Sequence, residues 1–209
     1  MSKNILEEIR KEQVLNATKK LIIDKGYSNF SMKDVASEME MSTGMIYHYF
    51  ENKEELLLKV LKYSFTNPYQ KVMETVNPLK DFVEKLSAYF DNVNDSQITS
   101  SDFWSLLINF LGQVEYAPDI SHILRKFMTN IREFVDDIFQ LGIEQGTISE
   151  ETKKDFSALI IGASMGLAFQ HLIDPDSIDL ISTMAKQKEV FLHYLKFKNP
   201  DGNSSDNQV

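Results

Sequence analysis

Three helix starts crowd into the stretch FSMKDVASEMEMSTGMIYHYFENKEELLL, residues 30–58, at Ser31, Ser42 and Asn52. Spacing that close allows only short helices joined by a tight turn. Ser31 and Asp34, three residues apart, form a reciprocal cap in which each side-chain oxygen takes a backbone N–H that the first turn leaves unpaired. Val35, Ala36 and Met39 then supply a buried stripe. The Ser42 hydroxyl caps a second helix whose inward face is Ile46 and Phe50, leaving Thr43, Gly44, Met45, Tyr47 and His48 outward or oblique. Asn52 with Glu55 opens a third helix, and Leu56, Leu57, Val60 and Leu61 continue its apolar face. Two short helices on a tight turn make a helix-turn-helix.

Glycine inside a helix costs roughly 1 kcal/mol relative to alanine, so Gly44 asks for a reason other than packing. A helix entering the major groove of DNA by its N-terminus supplies one. Gly44 lets the backbone approach the duplex, while Thr43, Met45, Tyr47 and His48 reach phosphates or base edges. Tyr47 and His48 also suit plain cover over a hydrophobic surface; the flanking caps and Gly44 favour the DNA-reading face.

At this point the residues match a known pattern. The segment resembles the N-terminal domain of the TetR-type transcriptional regulators, in which this helix ends in Tyr-x-x-Phe-x-x-Lys-x-x-Leu, here Tyr47, Phe50, Lys53 and Leu56. Upstream, Ile9, Val14, Ala17, Leu21, Gly26, Tyr27, Phe30, Val35 and Ala36 fall where that family has its first helix, its glycine stop and its second helix. Met45 departs from the smaller or β-branched residue of many relatives. The resemblance implies a homodimer that binds a pseudo-palindromic double-stranded operator and is released by a small molecule held in the C-terminal domain. A transcriptional activator of the same family is the alternative.

The net charge of −9 opposes a nucleic-acid partner, because neutralisation of phosphates supplies most non-specific affinity. Its distribution softens the objection: residues 1–55 carry −2, so the remainder carries −7. DNA contact is therefore expected from a few placed groups, Lys3, Arg10 and Lys11 on the first helix, Ser31 and Lys33, Ser42, Lys53, and the helix N-termini. Each cation alone also suits a solvated surface charge. The absence of cysteine removes any disulfide frame or thiolate metal site. No apolar run approaches the roughly 20 residues that span a bilayer, and MSKNILEEIRKEQ is too charged for a signal peptide. A cytoplasmic protein without a membrane partner is expected.

The rest of the chain reads as helix, with breaks at Pro68, Pro78, 92–101, Pro118, Gly146 and Pro175, and with no strand alternation. The expected fold is all-α: an N-terminal three-helix bundle over residues 1–55, a helical ligand-binding and dimerisation domain over 56–198, and a disordered polar tail over 199–209. Amphipathic helices fall at 80–90, with Phe82, Val83, Leu86, Tyr89 and Phe90 on one face, and at 102–114, 119–145, 151–172 and 178–197. Large rings along facing helices suit a cavity and ordinary core packing equally. With the resemblance, Trp104, Leu107, Phe110, Phe127, Ile131, Met165 and Phe169 are candidates to line an inducer pocket, with Gln170 and His171 as polar orienters. Such a lining suits a small hydrophobic or amphipathic inducer. A coenzyme A thioester also fits, Arg125, Lys126 and Arg132 meeting its phosphates, although helix-surface charge accounts for those three as well.

Gly162, Ala163, Ser164, Gly166 and Ala168 let helices approach closely. The resemblance implies that the last two helices pair with their copies in a four-helix interface, joined by Leu159, Val190, Phe191, Tyr194 and Leu195. The same run also satisfies the G-x-S-x-G pattern of a hydrolase with Ser164 as nucleophile, Asp174 or Asp179 and then His193 following in suitable order. That chemistry needs a strand, a strained turn and a helix in a parallel sheet, and the chain offers no such alternation. His48, His122, His171 and His193 are scattered, with no pair at metal-ligand helical spacing. No catalytic residues, metal or cofactor are expected.

Overall fold

A computed structural model describes residues 3–95, 100–153 and 156–198. The tail at 199–209, read above as disordered, lies outside the described residues. Every regular element among them is a helix: α1 (Lys3–Lys25), α2 (Met32–Glu38), α3 (Thr43–Tyr49), α4 (Lys53–Val76), α5 (Phe82–Asp95), α6 (Ser101–Leu111), α7 (Pro118–Glu144), α8 (Glu150–Lys153), α9 (Phe156–Ile173) and α10 (Leu180–Lys198). The all-α expectation holds. The chain forms two compact units. One takes the residues up to Asn67 together with Ser105–Lys126; the other takes Pro68–Trp104 and the residues from Phe127 onward. The N-terminal unit thus recruits a C-terminal segment that the sequence assigned elsewhere.

In the first unit α1 packs on α2 and α2 on α3. Val14, Leu21 and Ile22 of α1, Phe30, Val35 and Ala36, Ile46 and Phe50 of the α3 end, and Leu56, Leu57, Val60 and Leu61 of α4 are all buried. Gly26 stops α1 at φ +90°, a conformation that strains any side chain, and its N–H returns to the Ile22 carbonyl at 2.9 Å. The 105–126 segment joins this core through buried Leu106, Leu107, Phe110, Ile120 and Leu124. Asn109 Oδ1 accepts the Tyr27 backbone N–H at 3.0 Å, and the Tyr27 ring meets Phe110 edge-on with centroids 5.6 Å apart.

The second unit has its own core, built on Val72, Val76, Phe82, Leu86, Phe90, Phe134, Val135, Ile138, Phe139, Phe156, Ile160 and Leu195. Edge-on ring pairs tie α5 to α7 through Phe82 and Phe139 at 5.6 Å, and α9 to α10 through Phe156 and Phe191 at 5.8 Å. Val83, read as part of this stripe, instead faces outward. A contact between Lys188 Nζ and Asp91 Oδ1 at 2.6 Å adds an ion pair between α10 and α5.

Pro68, expected to end a helix, lies inside α4. Proline denies the Ser64 carbonyl its usual partner, an interior cost of about 3 kcal/mol. The burial of Phe65 before it and of Val72 and Val76 after it holds the helix through the defect. Ser64 Oγ is buried without a hydrogen-bond partner among the described residues. Apolarity was also underestimated: α9 is long and apolar enough, by length and composition, to cross a membrane. Here Phe156, Ile160, Ile161 and Ala168 are buried and α9 packs against α10.

At Gly142 a Cβ would stand 2.8 Å from the Phe82 ring and 3.0 Å from Ile148 Cγ1. Gly142→Ala is expected to destabilise the protein by about 1–3 kcal/mol in chemical denaturation, overpacking outweighing the roughly 1 kcal/mol that alanine returns as helix propensity. An unchanged or raised midpoint would mean that the α5–α7 contact gives way freely.

Candidate nucleic-acid interface

The helix-turn-helix is assembled by its caps. The Ser31 backbone N–H donates to Asp34 Oδ2 at 2.8 Å, and the Asp34 N–H donates to Ser31 Oγ at 3.3 Å, closing the capping box expected at α2. Lys25, in the last turn of α1, adds an ion pair to Asp34 Oδ1 at 2.8 Å. Between α2 and α3 the backbone turns through Glu40 at φ +51°, and the Met41 N–H bonds back to the Ala36 carbonyl at 2.9 Å. Ser42 Oγ then accepts the Met45 N–H at 3.3 Å and starts α3. At α4 Asn52 Oδ1 caps the Glu55 N–H at 2.8 Å, while the returning Glu55 carboxylate reaches the N–H of Glu51, at 2.7 Å, instead of that of Asn52.

This scaffold buries Ile46 and Phe50 and turns the opposite face of α3 to solvent. Gly44, Met45, Tyr47 and His48 are exposed and Thr43 is half-buried; Met45 keeps 46% and Tyr47 51% of its surface accessible. A Cβ on Gly44 would find nothing closer than Ser42 Oγ at 4.0 Å, so packing does not demand glycine here. The structure therefore groups Ser42, Thr43, Gly44, Met45, Tyr47 and His48 on one short helix, with Ser31 and Lys33 on the helix packed against it.

The cations are less free than the sequence suggests. Lys53 Nζ donates to the Phe30 carbonyl at 2.6 Å and the Ser28 carbonyl at 3.2 Å, and lies 4.2 Å from the centroid of the Phe30 ring. Burial holds this ammonium below the usual lysine value, against the pull of Asp34. Lys53 is thus a clamp between α4 and the α1–α2 loop. Lys11 pairs with Glu7 at 3.1 Å and Glu8 at 3.3 Å, Lys20 pairs with Glu38 at 2.8 Å, and Arg10 donates to Gln13 at 2.9 Å. Lys33 is exposed and has no ion-pair partner among the described residues.

The pocket candidates are dispersed. Leu107 and Phe110 are buried in the first unit. Trp104, Phe127, Ile131, Met165 and Phe169 belong to the second, where Trp104 is buried with its Nε1 unpartnered among the described residues. Phe127 meets Tyr69 edge-on at 6.5 Å, and Tyr69 donates to the Asn130 carbonyl at 2.6 Å, its hydroxyl pushed up to about 12 by burial. Phe169 is exposed, Gln170 bonds to the Gly166 carbonyl within α9 at 3.3 Å, and His171 Nδ1 lies 2.8 Å from the Ile178 carbonyl.

The face implied for pairing is open. Leu159 (56% accessible), Val190 (59%) and Tyr194 stand out from α9 and α10, and nothing lies within 4 Å of a Cβ placed on Gly162 or Gly166. Ala163 is half-buried, and Phe191 turns inward to stack on Phe90 at 6.0 Å. Ser164 sits inside α9, its hydroxyl donating to the Ile160 carbonyl at 3.1 Å and accepting from Gln187 Nε2 at 2.9 Å. Helix runs through the whole G-x-S-x-G run, so the strand and strained turn of a nucleophile elbow are missing there.

Residues 14–60 match the model of the bacterial regulatory proteins, tetR family. Over those residues the chain carries a helix-turn-helix domain of the TetR type. Two Bacillus subtilis relatives are similar to the chain. The uncharacterised HTH-type transcriptional regulator YuxN is 23% identical over 74% of this chain and 52% of its own length; PksA, an HTH-type transcriptional regulator, is 24% identical over 84% of each. The chain thus spans about half the length of YuxN. In fold, the chain is similar to a TetR transcription regulator from Haloarcula marismortui, with TM-score 0.78 and 17% identity over 91% of this chain and 98% of that one. A regulator from Saccharomonospora viridis in complex with choline gives TM-score 0.76 and 19% identity over 90% and 97%.

Asp34 gives a pH test of the scaffold. The Lys25 ammonium, then the Ser31 hydroxyl and N–H, hold its carboxyl well below the usual aspartate range. The stability contributed is fully present above the ordinary value of about 4 and is lost as pH falls through the depressed one. Asp34→Asn is expected to lie below wild type in stability at neutral pH, the gap closing as pH drops below about 4 in an acid titration followed by circular dichroism. A gap independent of pH would remove the ionised carboxylate from the account.

Proposed function

We propose that this protein is a homodimeric repressor that reads a pseudo-palindromic double-stranded operator with α3 and is released by a small hydrophobic or amphipathic inducer. The observation that carries the DNA reading is the solvent face of α3, where a glycine with no packing role stands beside exposed Met45, Tyr47 and His48. Residues 1–55 act as the reading head, residues 56–198 as the sensing and pairing body, and the protein works in the cytoplasm. Pairing is supported by the open apolar face of α9 and α10, where Leu159 and Val190 are exposed and Tyr194 is only partly covered by Phe156. An isologous pairing of that face sets the separation of two reading heads and suits a palindromic site.

The membership of the first unit supports a route for release. The 105–126 segment shares a core with the reading head and holds the α1–α2 turn through Asn109. A ligand that moves α4 or the helices carrying this segment repositions α3 and disturbs the match to half-site spacing.

Fluorescence anisotropy on fragments from upstream of the protein's own gene tests both halves. Tyr47→Ala is expected to weaken operator binding by about 1–3 kcal/mol with fold and assembly intact, and Val190→Glu to yield monomers by light scattering that bind a full site poorly. Wild-type binding undiminished by Tyr47→Ala, or a Val190→Glu protein that remains dimeric, would contradict the assignment.

A further inference from the structure

A cleft of 440 Å³ opens in the second unit between the end of α4, the loop after it, α5 and α7. That volume lies in the range of small-molecule sites. Met73, Leu79, Phe134, Ile138 and Leu141 give it an apolar floor. The polar groups gather on the loop side: Lys80 and Lys85 contribute two ammonium groups, and Asp137 one carboxylate. Among the lining residues two cations stand against one acid, in a chain of net charge −9. The loop is fixed by Gln145, whose amide donates to the Lys80 carbonyl at 2.7 Å and whose oxygen accepts the Phe82 N–H at 3.0 Å. Lys85 Nζ spends one N–H on the Asn77 carbonyl at 3.1 Å, which leaves two of its three donors for a ligand.

We propose that this cleft binds an amphipathic organic anion, a carboxylate carrying an apolar tail, with the carboxylate between Lys80 and Lys85 and the tail along the floor. Burial, then the neighbouring charge of Lys80, hold the Lys85 ammonium below the usual lysine value, with Asp137 opposing. An arriving anion relieves that strain, whereas a neutral tail does not. None of the lining residues is among the inducer-pocket candidates named from the sequence, so the site adds a place and a charge to the sensor reading on which it rests.

Calorimetry on the full chain with decanoate, decanol and decylamine as probes tests it. Decanoate binds saturably, decanol about tenfold or more weakly, and decylamine not at all. Lys85→Met weakens decanoate about tenfold, the order expected for a lost charged hydrogen bond. Asp137→Asn tightens it, a gain that a folding defect does not mimic. No saturable decanoate binding, equal binding of decanol, or an Asp137→Asn variant that binds no better overturns the site. Operator anisotropy run in parallel separates the two claims: decanoate that binds with this pattern yet leaves operator affinity unchanged supports the site and contradicts its role as the inducer site.

Discussion

One ammonium group holds the reading head in register. Lys53 begins α4, yet its charge is spent on the carbonyls of Ser28 and Phe30 in the loop between α1 and α2. The Phe30 ring lies under the same ammonium and is itself buried. Around that clamp the other local devices fall into order: Gly26 ends α1, Ser31 and Asp34 start α2, Ser42 starts α3, and Asn52 caps α4. Each contributes on the order of 1 kcal/mol, and together they fix helices too short to be stable alone. The consequence is exposure on one face. A seven-residue helix keeps Gly44, Tyr47 and His48 open to solvent while its inward residues, Ile46 and Phe50, are buried against the elements that Lys53 helps hold.

That arrangement revises the electrostatics of DNA binding. Lys11, Lys20, Lys25 and Lys53 each have partners inside the first unit, so these four cations are already engaged within the protein. On the proposed DNA-reading role, binding draws on a surface that is not basic, and the affinity falls less steeply with salt than for a protein coated in lysine. On the same proposal, acidic charge elsewhere disfavours other docking poses.

The head was legible in the sequence because its signals are local. A cap needs two residues three apart, a glycine stop needs one, and the Tyr47, Phe50, Lys53 and Leu56 pattern sits within ten residues. What the sequence hid depends on distant partners. Lys53 looks like a phosphate ligand until Phe30 is beside it. Asn109 gives no sign of reaching Tyr27, 82 positions away. Pro68 signals a break, and only burial on both sides shows why α4 continues. The aromatics alone cannot separate core from pocket, because rings along amphipathic helices serve both; the cleft at Lys80 and Lys85 is framed by a loop and the ends of helices, where periodicity carries no signal.

The central claim is that the solvent face of α3 is what meets DNA. Hydrogen exchange followed by mass spectrometry, on the free protein and on its complex with the operator fragment, addresses it most directly. The account predicts new protection over residues 42–49 and at the start of α2, with the buried core of the second unit unchanged. Protection that leaves residues 42–49 untouched while the DNA is bound would contradict it.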